Sequence, residues 1–490
     1  MSRTTTDLDA LAAALRAAIG ADRVISDRQQ LRTYECDGLA QYKVIPALVA
    51  LPADAEQCAA VVRACVAAGT PFVARGSGTG LSGGALPRAD GVLVVTSQMR
   101  DILEIALDDE RAVVQPGVIN LAVTRAATPH GYYYAPDPSS QQICSIGGNV
   151  AENSGGAHCL KYGFTTNHVL GVELVTPDGD RVRLGGRAPD APGYDLLGAF
   201  VGSEGTLGIA TEVTVRLTRL PESVRTLLAA FETTDQAGAA TSAIIAAGVV
   251  PAAVEMMDAL AIEAAEAAVH CGYPPGAGAV LIVELDGPEP EVAAQFAQVQ
   301  SLCRENRAFE IRIAADDAER ALFWKGRKSA FAAVGRISPD YIVQDGVIPR
   351  TALPEVLRRI GELSAERGIR VANVFHAGDG NLHPLVLFDA AVDGETIRAE
   401  EVSGAILDLC ITHGGSITGE HGVGMDKAKY MPRMFTDDDL DTMQLLRCAF
   451  DPDGLANPGK VFPTPRLCGE VPGRHKGAHP AQEAGLAEVF

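Results

Sequence analysis

Two short clusters hold the side chains best suited to chemistry. The first is His376-Ala-Gly-Asp-Gly-Asn-Leu-His383, set between apolar runs at 371–375 and 384–388. Gly378-Asp-Gly-Asn381 is strong turn chemistry, so the two runs read as strands of a hairpin. With a four-residue turn at that point, Ala377 faces Leu382 and His376 faces His383. Opposed residues project from one face of a hairpin with Cβ atoms about 5 Å apart. Two imidazoles so placed can share a divalent ion. The second cluster is Gly419-Glu420-His421-Gly422. A carboxylate from Glu420 joining His376 and His383 gives three ligands with coordination positions left open, as a catalytic metal site requires, and leaves His421 free to act as a base. A histidine met alone is more often a hydrogen-bonded structural residue. Here four of the ten histidines (376, 383, 413 and 421) fall in or beside two glycine-rich stretches, with His413 a bystander.

A different chemistry is written into 75–87, Arg-Gly-Ser-Gly-Thr-Gly-Leu-Ser-Gly-Gly-Ala-Leu-Pro, which follows an apolar run at 71–74 that reads as a strand. Glycines at 76, 78, 80, 83 and 84 let a ligand approach the main chain closely. Successive backbone N–H groups make a concave anion site, to which Ser77, Thr79 and Ser82 add hydroxyl donors. The stretch reads as a cradle for a phosphate or pyrophosphate, the alternative being a flexible surface turn. It is not a P-loop, because Ala85 and Leu86 follow Gly84 where Lys and Ser or Thr belong. Nor is it a dinucleotide fingerprint: Leu81 stands in place of the third glycine, and Pro87 interrupts any helix. Two more stretches offer accessible backbone. One is 137–156, with Gly-Gly pairs at 147–148 and 155–156; the other is 202–208, just before a strand at 209–217.

These clusters need a scaffold, and the hydrophobic pattern supplies one. Helical periodicity at 56–68 and 120–130 alternates with short strands at 92–95 and 112–114. Beyond Leu220-Pro221, strands at 226–231, 280–285 and 310–314 are separated by Ala-rich helices at 235–247 and 290–306, a βαβ-like pattern. A helix at 438–450 precedes Asn457-Pro-Gly-Lys-Val-Phe-Pro463. The reading is an α+β protein divided at 1–220, 221–410 and 411–463, with 464–490 a mobile tail.

The chain has 490 residues, 47% of them hydrophobic, which suffices for two or three cores. A net charge of −21 argues against nucleic acid or anionic lipid as a general partner. No apolar run approaches the ~20 residues needed to span a bilayer. Residues 1–19 lack the basic start and uncharged core of a secretory signal. Leu8, Leu11, Leu15 and Ile19 instead fall at helical spacing. The ten cysteines contain no Cys-x-x-Cys pair, which disfavours an iron–sulfur cluster or zinc ribbon and fits reduced thiols in a soluble cytoplasmic protein.

The glycine loop, the two later glycine-rich stretches and the histidine clusters together resemble the flavoproteins related to vanillyl-alcohol oxidase. Within them the resemblance is to the FAD-binding 2-hydroxy-acid dehydrogenases, the branch that includes flavin subunits of bacterial glycolate oxidases. It spans residues 34–463. The resemblance implies a two-subdomain FAD-binding domain of the vanillyl-alcohol oxidase (PCMH) type over 1–220, an α+β cap over 221–410, and a return to the flavin domain at 411–463. It implies flavin contacts from Arg75, Gly76, Ser77, Gly78, Thr79, Gly80, Leu81 and Ser82 in the first stretch. From the second come Pro138, Ser139, Ser145, Ile146, Gly147, Gly148, Asn149, Gly155 and Gly156, and from the rest Glu204, Gly208, Ile209 and Asn457. With no histidine in 75–87, where some relatives attach their flavin, FAD is expected to be noncovalent.

The same resemblance implies that His376, His383 and Glu420 bind Zn²⁺, or Mn²⁺ or Fe²⁺ in its place. It further implies that His421 takes the substrate hydroxyl proton and that Arg327 pairs with the substrate carboxylate; read alone, Arg327 is a solvated helix charge within 323–331, the reading that Lys325 and Lys328 take. Relatives acting on D-2-hydroxyglutarate carry a Thr, a Lys and an Asn where this chain has Phe331, Val343 and Leu385. An apolar lining leaves a second carboxylate unpaired, so the expected substrate is a small monocarboxylate, glycolate or D-lactate. Expected partners are an FAD-binding-like subunit and an iron–sulfur subunit delivering electrons to quinone, with membrane contact at most peripheral. Alternatives are a D-2-hydroxyglutarate or other D-2-hydroxy-acid dehydrogenase acting alone, a flavin subunit that only relays electrons, or a metal-dependent hydrolase that binds a nucleotide.

Overall fold

Short aliphatic strands and Ala-rich helices alternate along the chain, and the computed structural model gathers the strands into three main sheets, describing residues 7–188 and 192–463. The expected tail, 464–490, lies outside the described residues. In the first sheet β1 (Val24–Ile25), β2 (Leu48–Ala50), β3 (Phe72–Arg75) and β4 (Val92–Val95) follow the order β1-β2-β4-β3, with β4 parallel to both its neighbours. β2 and β4 are buried along their length, as parallel strands covered on both faces must be. The helix Leu8–Ile19, capped by the Asp7 carboxylate, packs Leu11, Leu15 and Ile19 beside the helix Ala55–Ala67 over this sheet. Leu8 departs from the expected stripe. It opens the first turn, ahead of the neighbouring helix, and stays exposed.

The second sheet joins β5 (Ile102–Ala106), β6 (Arg111–Val114), β8 (Val169–Val175), β9 (Arg181–Gly185) and β10 (Ile209–Arg216) in the order β5-β6-β10-β8-β9, all antiparallel. A ribbon of β7 (Tyr132–Tyr133) and β11 (Thr218–Arg219) flanks it. The stretch 137–156, expected as open loop, contains the helix Ile146–Glu152. Gly147 permits it: a Cβ there would lie 2.6 Å from the Pro116 side chain, so only glycine lets the helix start pack so close.

The third sheet carries β12 (Ser223–Phe231), β13 (Ala253–Asp258), β14 (Ala279–Gly287), β15 (Glu310–Ile313), β16 (Asp340–Val343), β18 (Val371–His376) and β19 (Asn381–Phe388). Their order is β15-β12-β14-β13-β18-β19-β16, and β17 (Gly346–Val347) also pairs with β19. Every pairing is antiparallel. The βαβ-like reading is corrected accordingly: β12 and β13 run the same way, but β14 is inserted between them and pairs with both, a split βαβ arrangement. One face packs against helices that include Thr234–Ala246 and Glu289–Glu305. The other packs against Ala259–Val269 and Asp317–Ala333. From β19 the chain passes through the helix Glu395–Thr412 and returns to the first sheet, where Phe72 bridges to Ala456.

The hairpin of β18 and β19 differs in register from expectation. His376 pairs with Asn381 and Val374 with His383, so the histidines are diagonal neighbours and not directly opposed. The turn comes one residue earlier than its composition suggests, closed by the Gly380 N–H on the His376 carbonyl at 3.2 Å. Strand alternation still points both imidazoles to one face. That face is the one covered by Asp317–Ala333, since Val374 and Leu385 pack there while Phe375 and Leu382 pack on the other. Gly380 fixes the turn with φ +83°, and a Cβ at this position would stand only 2.2 Å from the Ile348 carbonyl oxygen. Gly380→Ala is therefore expected to lower the unfolding free energy by about 1–3 kcal/mol. Chemical denaturation followed by circular dichroism measures it, and an unchanged midpoint contradicts this turn geometry.

Candidate active site

A cavity of about 830 Å³ lies between the first two sheets and the third. Its walls include Arg75, Gly76, Ser77, Gly78, Thr79, Gly80 and Leu81 from the loop after β3, and Pro138, Ser139, Ser145, Gly147, Gly148 and Asn149 from the second stretch. Glu204, Gly208 and Ile209 complete the lining expected from the third. Gly78 has φ +70°, and the Arg75 guanidinium folds back beneath it, within 2.5 Å of where a Cβ would stand. Any side chain there would drive the arginine out.

Five expected contacts sit behind this surface. Ser82 is fully buried, its carbonyl accepting the N–H groups of Met425 and Asp426. Ile146 packs in the core of the second sheet. Gly155 lies against Glu420 and Phe164, and Gly156 against Asp137. Asn457 donates to the carbonyls of Gly84 and Glu204 at 2.9 and 2.6 Å, buttressing the loop from below.

At one end of the cavity the two histidine clusters meet. Glu420 Oε1 lies 3.4 Å from His376 Nε2, 3.0 Å from His383 Nε2 and 3.8 Å from His421 Nε2. The His383 and His421 rings stack at 4.9 Å, and His376 stands edge-on to His383 at 5.0 Å. Second partners orient two of the rings and favour the proton on Nδ1 in the neutral form. His376 Nδ1 meets Glu255 Oε1 at 2.8 Å, and His383 Nδ1 meets the Gln344 carbonyl at 3.3 Å. Each Nε2 then turns a lone pair toward a carboxylate oxygen, and His383 Nε2 is buried without a hydrogen bond. Lone pairs converging on an anion demand a cation between them, either a proton or a metal. The donor set fits a divalent ion.

Burial opposes charge on every member of this group, and neighbours decide the outcome. His376 is held well above its ordinary pKa because Glu255 and Glu420 outweigh burial. Glu420 is held well below its own because His376 and His383 do the same. For His421 burial prevails and brings the imidazole down to about 4, so it is neutral at pH 7, with Nδ1 lacking a hydrogen bond.

Arg327, on the helix Asp317–Ala333, is 2% exposed and pairs its Nε with Glu255 Oε2 at 2.8 Å, while Nη2 has no hydrogen-bond partner. Glu255 thus holds His376 with one oxygen and Arg327 with the other. Phe331 and Val343 line the cavity; Leu385 is buried and does not. Lys325 is exposed, and Lys328, also exposed, lines the cavity instead of standing wholly in solvent.

Three carboxylates escaped the sequence reading. Asp345 is fully buried and accepts from Thr418 Oγ1 (2.5 Å), from the N–H groups of Gly419 (3.0 Å), Glu420 (3.2 Å) and His421 (2.9 Å), and from Lys427 Nζ (3.3 Å). It lies close enough to His383, Glu420 and His421 to form a ligand group with them. Its oxygens are already taken by these donors, whereas His376 Nε2 is not, so His376 is the better third ligand. Glu255 sits in β13, a strand that its Met-Met core sequence leaves without a turn signal. Glu152 lines the cavity between Gly84 and Gly422. Burial and the adjacent Glu204 raise its pKa well above the carboxylate range, so it carries a proton.

Comparison with known proteins bears on the whole chain. Residues 46–185 match the FAD binding domain family, and residues 220–461 match the C-terminal domain of FAD linked oxidases. Glycolate oxidase subunit GlcD of Escherichia coli (strain K12) is 52% identical over 462 residues, 94% of this chain and 93% of that one. A D-lactate dehydrogenase of Archaeoglobus fulgidus is 32% identical, over 84% of this chain and 91% of its own. The solved structure of p-cresol methylhydroxylase with substrate bound superimposes with a TM-score of 0.78 at 16% identity, over 94% of this chain and 98% of that one; it shares the vanillyl-alcohol oxidase-type fold.

Asp345 gathers a segment without regular secondary structure, so replacing it should unfasten that segment. Asp345→Asn removes the charge opposite buried Lys427 and is expected to cost about 3–5 kcal/mol. Urea denaturation measures the loss, and a change below about 1 kcal/mol contradicts the organising role.

Proposed function

Because the chain belongs to the FAD-linked oxidases and is an FAD-dependent hydroxy-acid oxidoreductase, we propose that it oxidises a small 2-hydroxy monocarboxylate, glycolate or D-lactate, to the 2-oxo acid. The observation that carries this reading is the convergence of three imidazole Nε2 atoms on Glu420 Oε1 at the end of the cavity lined by the glycine loop. FAD, when bound, supplies the acceptor for a hydride leaving the substrate Cα. A divalent cation held by His376, His383 and Glu420 would supply Lewis acidity, lowering the pKa of a hydroxyl set against it.

The remaining work falls to side chains of this chain. His421, neutral at pH 7, takes the hydroxyl proton on an imidazole nitrogen as the C–H bond breaks. Arg327 presents its unpartnered Nη2 to the substrate carboxylate while Glu255 fixes its Nε. Phe331, 5.8 Å from the His383 ring, and Val343 exclude water and offer no partner to a second carboxylate.

The two electrons then pass to another protein. The E. coli relative is named as one subunit of an oxidase, and this chain has no Cys-x-x-Cys pair to hold a cluster of its own. We assign this step to an FAD-binding-like subunit and an iron–sulfur subunit that feed quinone. Among the described residues no helix is long and apolar enough to cross a membrane, and we assign any membrane contact to such partners.

Anaerobic mixing with a panel of 2-hydroxy acids tests the reading. Glycolate or D-lactate should bleach the flavin absorbance, and D-2-hydroxyglutarate should do so at least about a hundredfold more slowly, for want of a partner to its second carboxylate. His421→Ala should retain FAD and lose bleaching by about 10²–10⁴-fold. Comparable reduction by D-2-hydroxyglutarate sinks the monocarboxylate assignment. Exhaustive chelation should remove one metal per chain and slow bleaching with FAD retained; full-rate reduction in metal-free protein contradicts the three-ligand site.

A further inference from the structure

Outside the cavity a second cluster of charge gathers on His158, which follows the Gly155-Gly156 pair. Its Nδ1 lies 2.9 Å from Asp137 Oδ2, and its Nε2 lies 3.3 Å from Glu284 Oε1. Glu284, on β14 and 1% exposed, also accepts from Thr226 Oγ1 at 2.7 Å, from Trp324 Nε1 at 2.8 Å and from the Arg320 guanidinium at 2.8 Å. The His158 ring lies over the Trp324 indole, 5.6 Å between centroids and tilted by 30°. Asp137 immediately precedes Pro138 of the cavity wall. Arg320 and Trp324 belong to the helix that carries Arg327. One imidazole therefore stands between the flavin-side stretch and the helix that presents the carboxylate-binding arginine.

We propose that His158 is a positioning residue: as an imidazolium bridging Asp137 and Glu284, it sets the helix Asp317–Ala333 against the cavity wall and so fixes where Arg327 holds the substrate carboxylate. The proposal rests on the function assigned above to Arg327. A neutral ring would turn one lone pair toward a carboxylate, so bonding at both nitrogens requires both N–H groups. Burial opposes this charge, but Asp137 and Glu284 outweigh it and bring the imidazolium pKa up to about 10. A histidine raised in the folded state contributes stability that is complete below its unfolded value of about 6.5. That contribution is lost as pH rises through about 10. The charged groups facing the ring are Asp137, Glu284 and, across Glu284, Arg320. Tyr133 lies beyond them, its phenol pushed up to about 12 by burial. Lys328 Nζ is 5.7 Å from the Trp324 ring.

Trp324 is the only tryptophan in the chain, so its emission reports on this cluster alone. In the FAD-loaded protein a protonated imidazole quenches the stacked indole, and emission should rise with a midpoint of about 10. His158→Gln should abolish the transition, and Asp137→Asn should move it to lower pH. With the 2-hydroxy acid that bleaches the flavin fastest, His158→Gln should raise KM about tenfold with kcat within about twofold and FAD content unchanged. Flat emission from pH 8 to 11 in the unaltered protein overturns the proposal even if the variants do not fold. A transition that survives in His158→Gln does not arise from this imidazole and overturns it equally, as does an unchanged KM. The emission arm needs no substrate, so a failure of the assigned activity leaves it standing, and a failure of the clamp leaves flavin reduction intact.

Discussion

Three imidazoles facing one carboxylate oxygen inside a protein cannot stand without a positive charge among them, and most of the surrounding structure can be understood as arranging that meeting. The ligands come from distant parts of the chain. His376 and His383 are presented by a hairpin of an eight-strand sheet, while Glu420 and His421 lie in a segment with no regular secondary structure. Such a segment keeps a fixed shape only if its backbone donors are satisfied. One fully buried side chain, Asp345, accepts three consecutive N–H groups, those of Gly419, Glu420 and His421, together with a hydroxyl and an ammonium. Glu255 does the corresponding work on the sheet side, orienting His376 and Arg327 with its two oxygens. His376, His383 and Arg327 are held from behind through their side chains, and Glu420 and His421 through their backbone.

The cavity wall depends on the end of the chain in the same way. Glu204 adopts φ +52° and Asn457 φ +43°, conformations that cost a side-chain-bearing residue about 1–3 kcal/mol. Both are over-determined. The Glu204 carboxylate accepts from the N–H groups of Val423 and Gly424 at 2.7 Å each, its carbonyl accepts from Asn457, and Lys460 donates to the Leu86 carbonyl at 2.8 Å. The returning segment thereby ties the glycine loop, the Glu204 loop and the Glu420 loop into one unit. A loop made largely of glycine has few side chains with which to pack, so its shape must be imposed from outside, and residues 423–460 impose it.

What could be read from sequence follows from how local its causes are. The glycine loop and the strand before it were legible because a run of glycines beside hydroxyl residues has few other uses. The two histidines were legible as a pair on one face, since strand alternation is insensitive to where the turn closes. Their register was not, because Gly380 answers to the carbonyl of Ile348, just past β17 and more than thirty residues away. The βαβ-like spacing similarly concealed the insertion of β14 between β12 and β13. Asp345, Glu255 and Glu152 were invisible for one reason: an acidic residue is ordinary in any sequence, and only burial beside particular partners makes it exceptional. Lys328 erred the other way. It is exposed, as a helix lysine should be, and yet it borders the cavity.

Charge balance ties this arrangement to the choice of substrate. Asp345 is offset by Lys427, and Glu255 by Arg327, so each buried pair is neutral. His421 is neutral as well, and without a metal the Glu420 charge is met by the His376 imidazolium. A divalent cation on the proposed ligands would bring the site to a net charge of plus one, which one substrate carboxylate cancels. A second carboxylate would leave a buried negative charge against Phe331 and Val343, a situation that proteins avoid unless a further cation is supplied. Lys328 is exposed, where water and salt screen its charge, and so is a weak substitute for a buried partner. The proposed preference for a monocarboxylate thus rests on the apolar lining, through desolvation.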